Sequence, residues 1–314
     1  MSLAAAAASA SDVWRWQPHP EVWLLVAALV GLWLYAVWRI GPTAARPGET
    51  VVTRSQVAWF GAAVVVLLVA SDWPLHDIGE EYLYSAHMVQ HLLLSFVLPP
   101  LVWWATPAWL ARLVIGQGRA YAVLKRLARP VPATLIFNGV VVLTHWPGLV
   151  NASVESGPLH YLVHVMVVAA GLLMWLPVCG PFAELRFSLP IQMLYLFLQS
   201  IIPTVPSGWL IMAESAVYRS YDAPYRLWDM SVTTDQQTAG LLMKLGGGFF
   251  LWTIITVLFF RFVARSEGDD RYRGVHPDRR APRPTPAVDH DPDVLTWDQV
   301  ERELERAGPP PHEP

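Results

Sequence analysis

Two pairs of histidines carry helical spacing. His87 and His91 stand four residues apart in Ser85-Ala86-His87-Met88-Val89-Gln90-His91, and His160 and His164 repeat that spacing in His160-Tyr161-Leu162-Val163-His164. Residues i and i+4 share one face of a helix, so each pair aims two imidazoles at one centre. His145, in Thr144-His145-Trp146, adds a fifth ring. Neutral imidazole is the commonest metal-binding side chain, and imidazole sites suit Cu, Zn, Fe or Ni. Thioether donors tilt the choice toward Cu(I). Met88 and Met166 stand beside the pairs and Met212 lies near a helix end, although methionines in an apolar bundle are usually packing residues. The single Cys179 excludes an intrachain disulfide framework and any CxxC copper or redox motif.

Other polar residues are open to two readings. Asp235, in Thr233-Thr234-Asp235-Gln236-Gln237, suits the positive end of a helix, and Thr233 with Gln236 or Thr234 with Gln237 fits a capping box. Asp235 is also a candidate to orient a ligand histidine or to coordinate metal itself. For His19 and His76 an interfacial role is expected rather than ligation. Asp72, Asp77, Glu80 and Glu81 read as solvated loop charge, or as a weak cation-attracting funnel. Lys244 lies inside an apolar stretch without an evident partner.

These side chains need elements to carry them, and the composition says which. Of 314 residues 54% are hydrophobic and 15% charged, too little charge for an ordinary soluble domain of this length. Seven apolar stretches approach the length of a membrane-crossing helix: Val22–Ile40, Gln56–Ser71, Tyr84–Trp104, Val131–Trp146, Leu159–Val178, Leu189–Met212 and Thr238–Val263. The second and fourth are short. An all-α bundle of seven transmembrane helices is therefore expected over residues 1–263. Residues 264–314 read as a mostly disordered cytoplasmic tail rich in Arg, Asp and Pro, with one short amphipathic helix over Asp293–Ala307. The Ala-rich Met1–Ala10 lacks a basic region and is not read as a cleaved signal.

Basic residues set the expected orientation. Arg39, Arg46 and Arg54 occupy the first connection, and Arg112, Arg119, Lys125, Arg126 and Arg129 the third. The second and fourth connections (Asp72–Leu83 and Pro147–Pro158) have neither Lys nor Arg. The positive-inside rule then puts the N-terminus outside and the C-terminus in the cytoplasm. On that topology His87, His91, His145, His160 and His164 all fall at outer helix ends. His276, His290 and His312 lie in the tail.

The motifs, taken in order, resemble a known family. Ser85-Ala86-His87-Met88-Val89-Gln90-His91-Leu92-Leu93-Leu94 with Pro99-Pro100, then Thr144-His145-Trp146-Pro147, then His160 and His164 with Trp175-Leu176-Pro177, look like the CtaG family of cytochrome c oxidase assembly factors. So does Tyr221-Asp222-Ala223-Pro224-Tyr225 leading to Asp235-Gln236-Gln237-Thr238-Ala239-Gly240-Leu241-Leu242-Met243. The resemblance covers roughly Trp59 to Phe262. Lys244 departs from it, standing where the family would be expected to carry a large aromatic residue.

The resemblance implies maturation of a haem–copper oxidase in the plasma (inner) membrane of a bacterium. Copper, as Cu(I), would be delivered to a catalytic subunit, with zinc as the alternative metal. The implied partners are cytochrome c oxidase subunits, other copper chaperones and membrane lipids, and no nucleic acid. The expected ligand set is His87, His91, His145, His160, His164, Asp235 and Met88, with no catalytic residue. Two other classes stay open on the residues alone. One is an intramembrane zinc-dependent hydrolase with Asp235 as base. The other is a haem-binding electron-transfer protein, against which the i,i+4 doublets argue because one helix gives one axial ligand to a given haem.

Overall fold

A computed structural model describes residues 13–116, 118–222, 227–275, 300–302 and 306. Among them the secondary structure is helical, with no strand. The chain divides into two compact units, Met1–Phe262 and Val263–Pro314. Arg279–Pro286 and the three tail histidines lie outside the described residues. So does most of Asp293–Ala307, of which only 300–302 and 306 are described, as helix.

Among the described residues six helices are long and apolar enough to cross a membrane. They are α1 (Pro20–Ala44), the run Arg54–Glu81, α4 (Tyr84–Ala105), α9 (Gly157–Cys179), α10 (Leu189–Ile211) and α11 (Val232–Glu267). The second run is two helical pieces, α2 (Arg54–Ser71) and α3 (Leu75–Glu81), and a capping box between Thr53 and Gln56 starts α2. The backbone of α11 stays helical to Val275, beyond the span end expected at Val263.

A seventh candidate span is reached only by counting a bent pair as one: α6 (Arg119–Leu127) meets α7 (Pro130–Thr144) at 78°. At 1.5 Å per residue the 15 residues of α7 reach about 22 Å, short of the roughly 30 Å hydrocarbon core. The expected fourth span is thus a short helix standing on an amphipathic one. Short helices α5 (Ala108–Ile115) and α8 (Pro147–Glu155) complete the set.

Two spans form the centre. In α4 and α9, 56% and 50% of the apolar window is buried, against 11–33% in the other four. They touch closely: a Cβ added at Gly171 of α9 would stand 2.9 Å from both the Ser95 carbonyl oxygen and Pro99 Cγ on α4. Pro99 has no N–H for the carbonyl four residues back, which is that of Ser95. Trp175 Nε1 of α9 donates to it instead, at 3.2 Å. A carbonyl that lipid could not satisfy thereby ties the central helices together. Below the histidines, Phe96, Phe137, Met174, Trp175, Tyr195 and Leu251 pack into the largest apolar cluster.

Helix α4 is not regular. After His91 it passes through a π-helical turn, Leu93–Val97, and α11 does the same over Leu242–Gly246. In the first, the Ser95 hydroxyl donates to the His91 carbonyl at 2.6 Å.

Candidate metal centre

The two spaced pairs and His145 converge. His87 and His91 (α4), His160 and His164 (α9) and His145, just past α7, are all buried. The rings of His87 and His91 lie 4.4 Å apart between centroids, and those of His160 and His164 4.3 Å. Across the helices His87 stands 5.7 Å from both His160 and His164, and His91 5.4 Å from His164. His145 approaches His91 at 6.0 Å.

Three of them form a ligand-sized group. Donor nitrogens of His87, His91 and His164 all lie within 4.8 Å of one another. Ligands at about 2.0–2.1 Å from one ion sit roughly 3.4 Å apart, so the rings need draw in by about 1 Å or somewhat more at the widest pair. Each of the five histidines keeps a buried ring nitrogen with no protein hydrogen-bond partner: Nδ1 of His87 and Nε2 of His91, His145, His160 and His164. Buried polar atoms are nearly always paired, and five imidazole nitrogens left together are a donor set suited to a metal.

His145 shows how the protein presets such a donor. Its Nδ1 lies 2.7 Å from the Val141 carbonyl, which can only accept, so the ring proton resides on Nδ1 and Nε2 carries a lone pair. The Tyr218 hydroxyl donates to the His145 backbone carbonyl at 2.9 Å. Burial pushes that hydroxyl up to about 12, which keeps it a donor at any physiological pH. Met88 belongs to a buried apolar cluster with Tyr84, Leu210 and Met243. With His91 and His145 it also lines a cavity running between α4, α7, α10 and α11 to Thr204 and Lys244. Lys244 Nζ donates to Thr204 Oγ1 there, the partner that the sequence did not supply.

Asp235 takes a different part. Its two carboxylate oxygens accept the backbone N–H groups of Tyr84 (2.7 Å) and Ser85 (2.9 Å), the first amides of the helix that bears His87 and His91. It caps a neighbouring helix rather than its own, and the charge meets the positive end of the α4 dipole. The expected capping boxes at Thr233 and Thr234 are replaced by Ser231, which caps α11 by accepting from the Thr234 amide. The reason is that Gln236 and Gln237 are engaged elsewhere. Gln236 accepts from the amides of Val217 and Tyr218 and donates to the Tyr218 carbonyl, and Gln237 donates to that of Ala213, so both pin the loop over the site.

The acidic connection and its two histidines also differ from expectation. Asp72–Leu83 is not a solvated loop: α3 folds over the cluster and buries His76 and Asp77. His76 belongs to the cluster, with its ring 5.7 Å from His160 and 6.5 Å from His164. His19 stacks edge-on against His76 and is held between Asp77 (2.7 Å) and Glu21 (3.2 Å). Burial alone would lower its pKa, but hydrogen bonds to both carboxylates outweigh that and leave it raised. One signal for His76 was present in the sequence: His76 and Glu80 share the i,i+4 spacing of the two histidine pairs.

Comparison with curated proteins gives no match, and comparison with solved structures gives none. A family does match. The model of the cytochrome c oxidase caa3 assembly factor family (Caa3_CtaG) covers residues 31–265, which include α4, α7, α9, α10 and the part of α11 that carries Asp235. With an all-helical membrane architecture and the motif order on which the resemblance rested, the chain belongs to the cytochrome c oxidase caa3 assembly factor family.

Proposed function

We propose that this assembly factor binds Cu(I) through His87, His91 and His164 and hands it to a subunit of a haem–copper oxidase. His145 would serve as the exchanging ligand. The observation that carries the reading is the group of buried imidazole nitrogens without protein partners. An all-imidazole set with Met88 alongside suits a soft, monovalent ion better than an oxygen-rich cage would. Asp235 acts from behind, fixing the start of the ligand helix.

Transfer needs no thiol and no electron. The ion would pass from one neutral imidazole to another by ligand exchange, and the bound state need only be labile on one side. On the topology set by the basic connections, the N-terminus lies outside, the C-terminus in the cytoplasm and the site in the outer half of a bacterial plasma membrane. An oxidase subunit in the same membrane can approach the site laterally.

The test is metal analysis of detergent-purified protein, with a His87→Ala/His91→Ala variant beside it. One Cu(I) per chain, lost in the variant, together with copper-poor oxidase in cells carrying that variant, is the expected result. Unchanged Cu(I) retention in a folded variant overturns the reading. So does stoichiometric zinc with hydrolytic turnover, or a Soret band from bound haem.

A further inference from the structure

Beside the inner histidines, α3 and α9 place a second donor set. His76 Nε2 stands 3.0 Å from Glu80 Oε2. His76, Glu80 and His160 offer three ligand atoms within 4.8 Å of one another. This set differs from the inner one in two respects. It contains a carboxylate, and its edge reaches the surface, because the Glu80 side chain is 29% exposed where that of His76 is 4%.

A simple i,i+4 ion pair on α3 does not account for all of this. His160 comes from another helix and is buried, and its Nε2 has no protein partner. Behind His76 the buried Gln90 amide contacts Nδ1 at 3.0 Å, while the Gln90 carbonyl oxygen has no partner. The same amide nitrogen donates to the Ala70 carbonyl, so the Gln90 side chain is fixed and buttresses the His76 ring from behind.

We propose that His76, Glu80 and His160 form an outer metal site, distinct from the inner one, for a divalent transition-metal ion such as Zn2+ or Cu2+. Two imidazoles and one carboxylate, with a fourth position facing water, are a donor set of borderline character. The carboxylate balances one of the ion's two charges, a gain that a monovalent ion at an all-imidazole site does not require. The two sites therefore differ in the ion they prefer, and they share the helix α9, where His160 and His164 stand one turn apart.

The experiment uses the full chain in detergent, titrated separately with Zn2+ and, without oxygen, with Cu(I). Glu80→Gln keeps the shape and a hydrogen bond to His76 but loses the charge, and His76→Ala removes a ligand. Circular dichroism and size exclusion verify the fold of each variant. Wild-type protein is expected to bind one Zn2+ that Glu80→Gln weakens by about tenfold or more. Glu80→Gln should leave Cu(I) binding unchanged, and His87→Ala/His91→Ala should keep the Zn2+. Zinc affinity unchanged in Glu80→Gln and in folded His76→Ala overturns the outer site. So does Zn2+ that is lost only with the inner histidines. Unchanged Cu(I) in His87→Ala/His91→Ala would instead remove the inner reading and leave the outer one standing.

Discussion

Asp235 closes the start of the helix that begins at Tyr84: its Oδ2 accepts the Tyr84 amide at 2.7 Å although the two residues are 151 apart in the chain. A second bond, from the Ser85 amide at 2.9 Å, makes the grip two-pronged. The first turn of α4, and with it His87, is therefore set by α11. Hydrogen bonds to a charged group contribute about 1.5–3 kcal/mol, more than a neutral pair. Asp235→Asn removes the charge and turns one oxygen into a donor facing an N–H. It should lower stability by about 1.5–3 kcal/mol, seen as a lower thermal midpoint, and weaken metal retention at the inner site.

Gly79 backs directly on His87. A Cβ at this position would stand 2.9 Å from the His87 amide nitrogen and 3.1 Å from its Cα. Neither atom can swing away, since both are backbone. Gly79→Ala should force α3 and α4 apart at a cost of about 1–3 kcal/mol, as overpacking does. The shift falls on the joint between the His76 and His87 donor sets, so titration should show weaker binding of both Zn2+ and Cu(I), whereas Gly139→Ala, with open space around it, should change neither.

His145 lies at the rim of the inner group, 6.0 Å from His91 and outside the three-nitrogen set. Its preset Nε2 suits a ligand that joins when the ion leaves. His145→Ala is expected to leave one Cu(I) per chain but to alter its rate of loss to a competing chelator in stopped-flow measurements. An unchanged rate would take His145 out of the exchange path.

His19 couples the start of α1 to α3 through Asp77 and Glu21. Its folded pKa is raised above the usual 6.5. A raised histidine stabilises fully below the unfolded value, and that contribution is lost as pH rises through the folded value. The tether should thus be strongest below pH 6.5 and weaken above it. Wild-type protein should lose more stability than His19→Gln across that rise, and parallel melting curves from pH 5.5 to 8.5 would show it.

Periodicity in the sequence locates four of the histidines, because His87 with His91 and His160 with His164 lie on helix turns at i,i+4, while His145 shows only as a ring at a helix end. The same spacing in His76 and Glu80 went unused, since four acidic residues in one connection suggested solvated charge. What hid the truth was burial: His19 and the Gln90 amide supply partners from 58 and 14 residues away, at distances no local pattern records. Asp235 does sit at a helix end, as its sequence context predicts, yet the helix it caps is not its own. The bent α6–α7 pair was visible only as a short apolar stretch, because Arg129-Pro130 marks a boundary without stating an angle.

The π-helical turn at Leu93–Val97 has a consequence for how α4 can vary. One surplus residue rotates everything downstream by about 100° relative to a continuous α-helix. The ligand turn and the Phe96–Pro100 packing turn can therefore each face the bundle interior, which an uninterrupted spiral would deny to one of them. Straightening this turn into a regular α-helix without removing a residue would swing one half away from the bundle, whereas deleting one residue within Leu93–Val97 would give a plain α-helix with both faces kept.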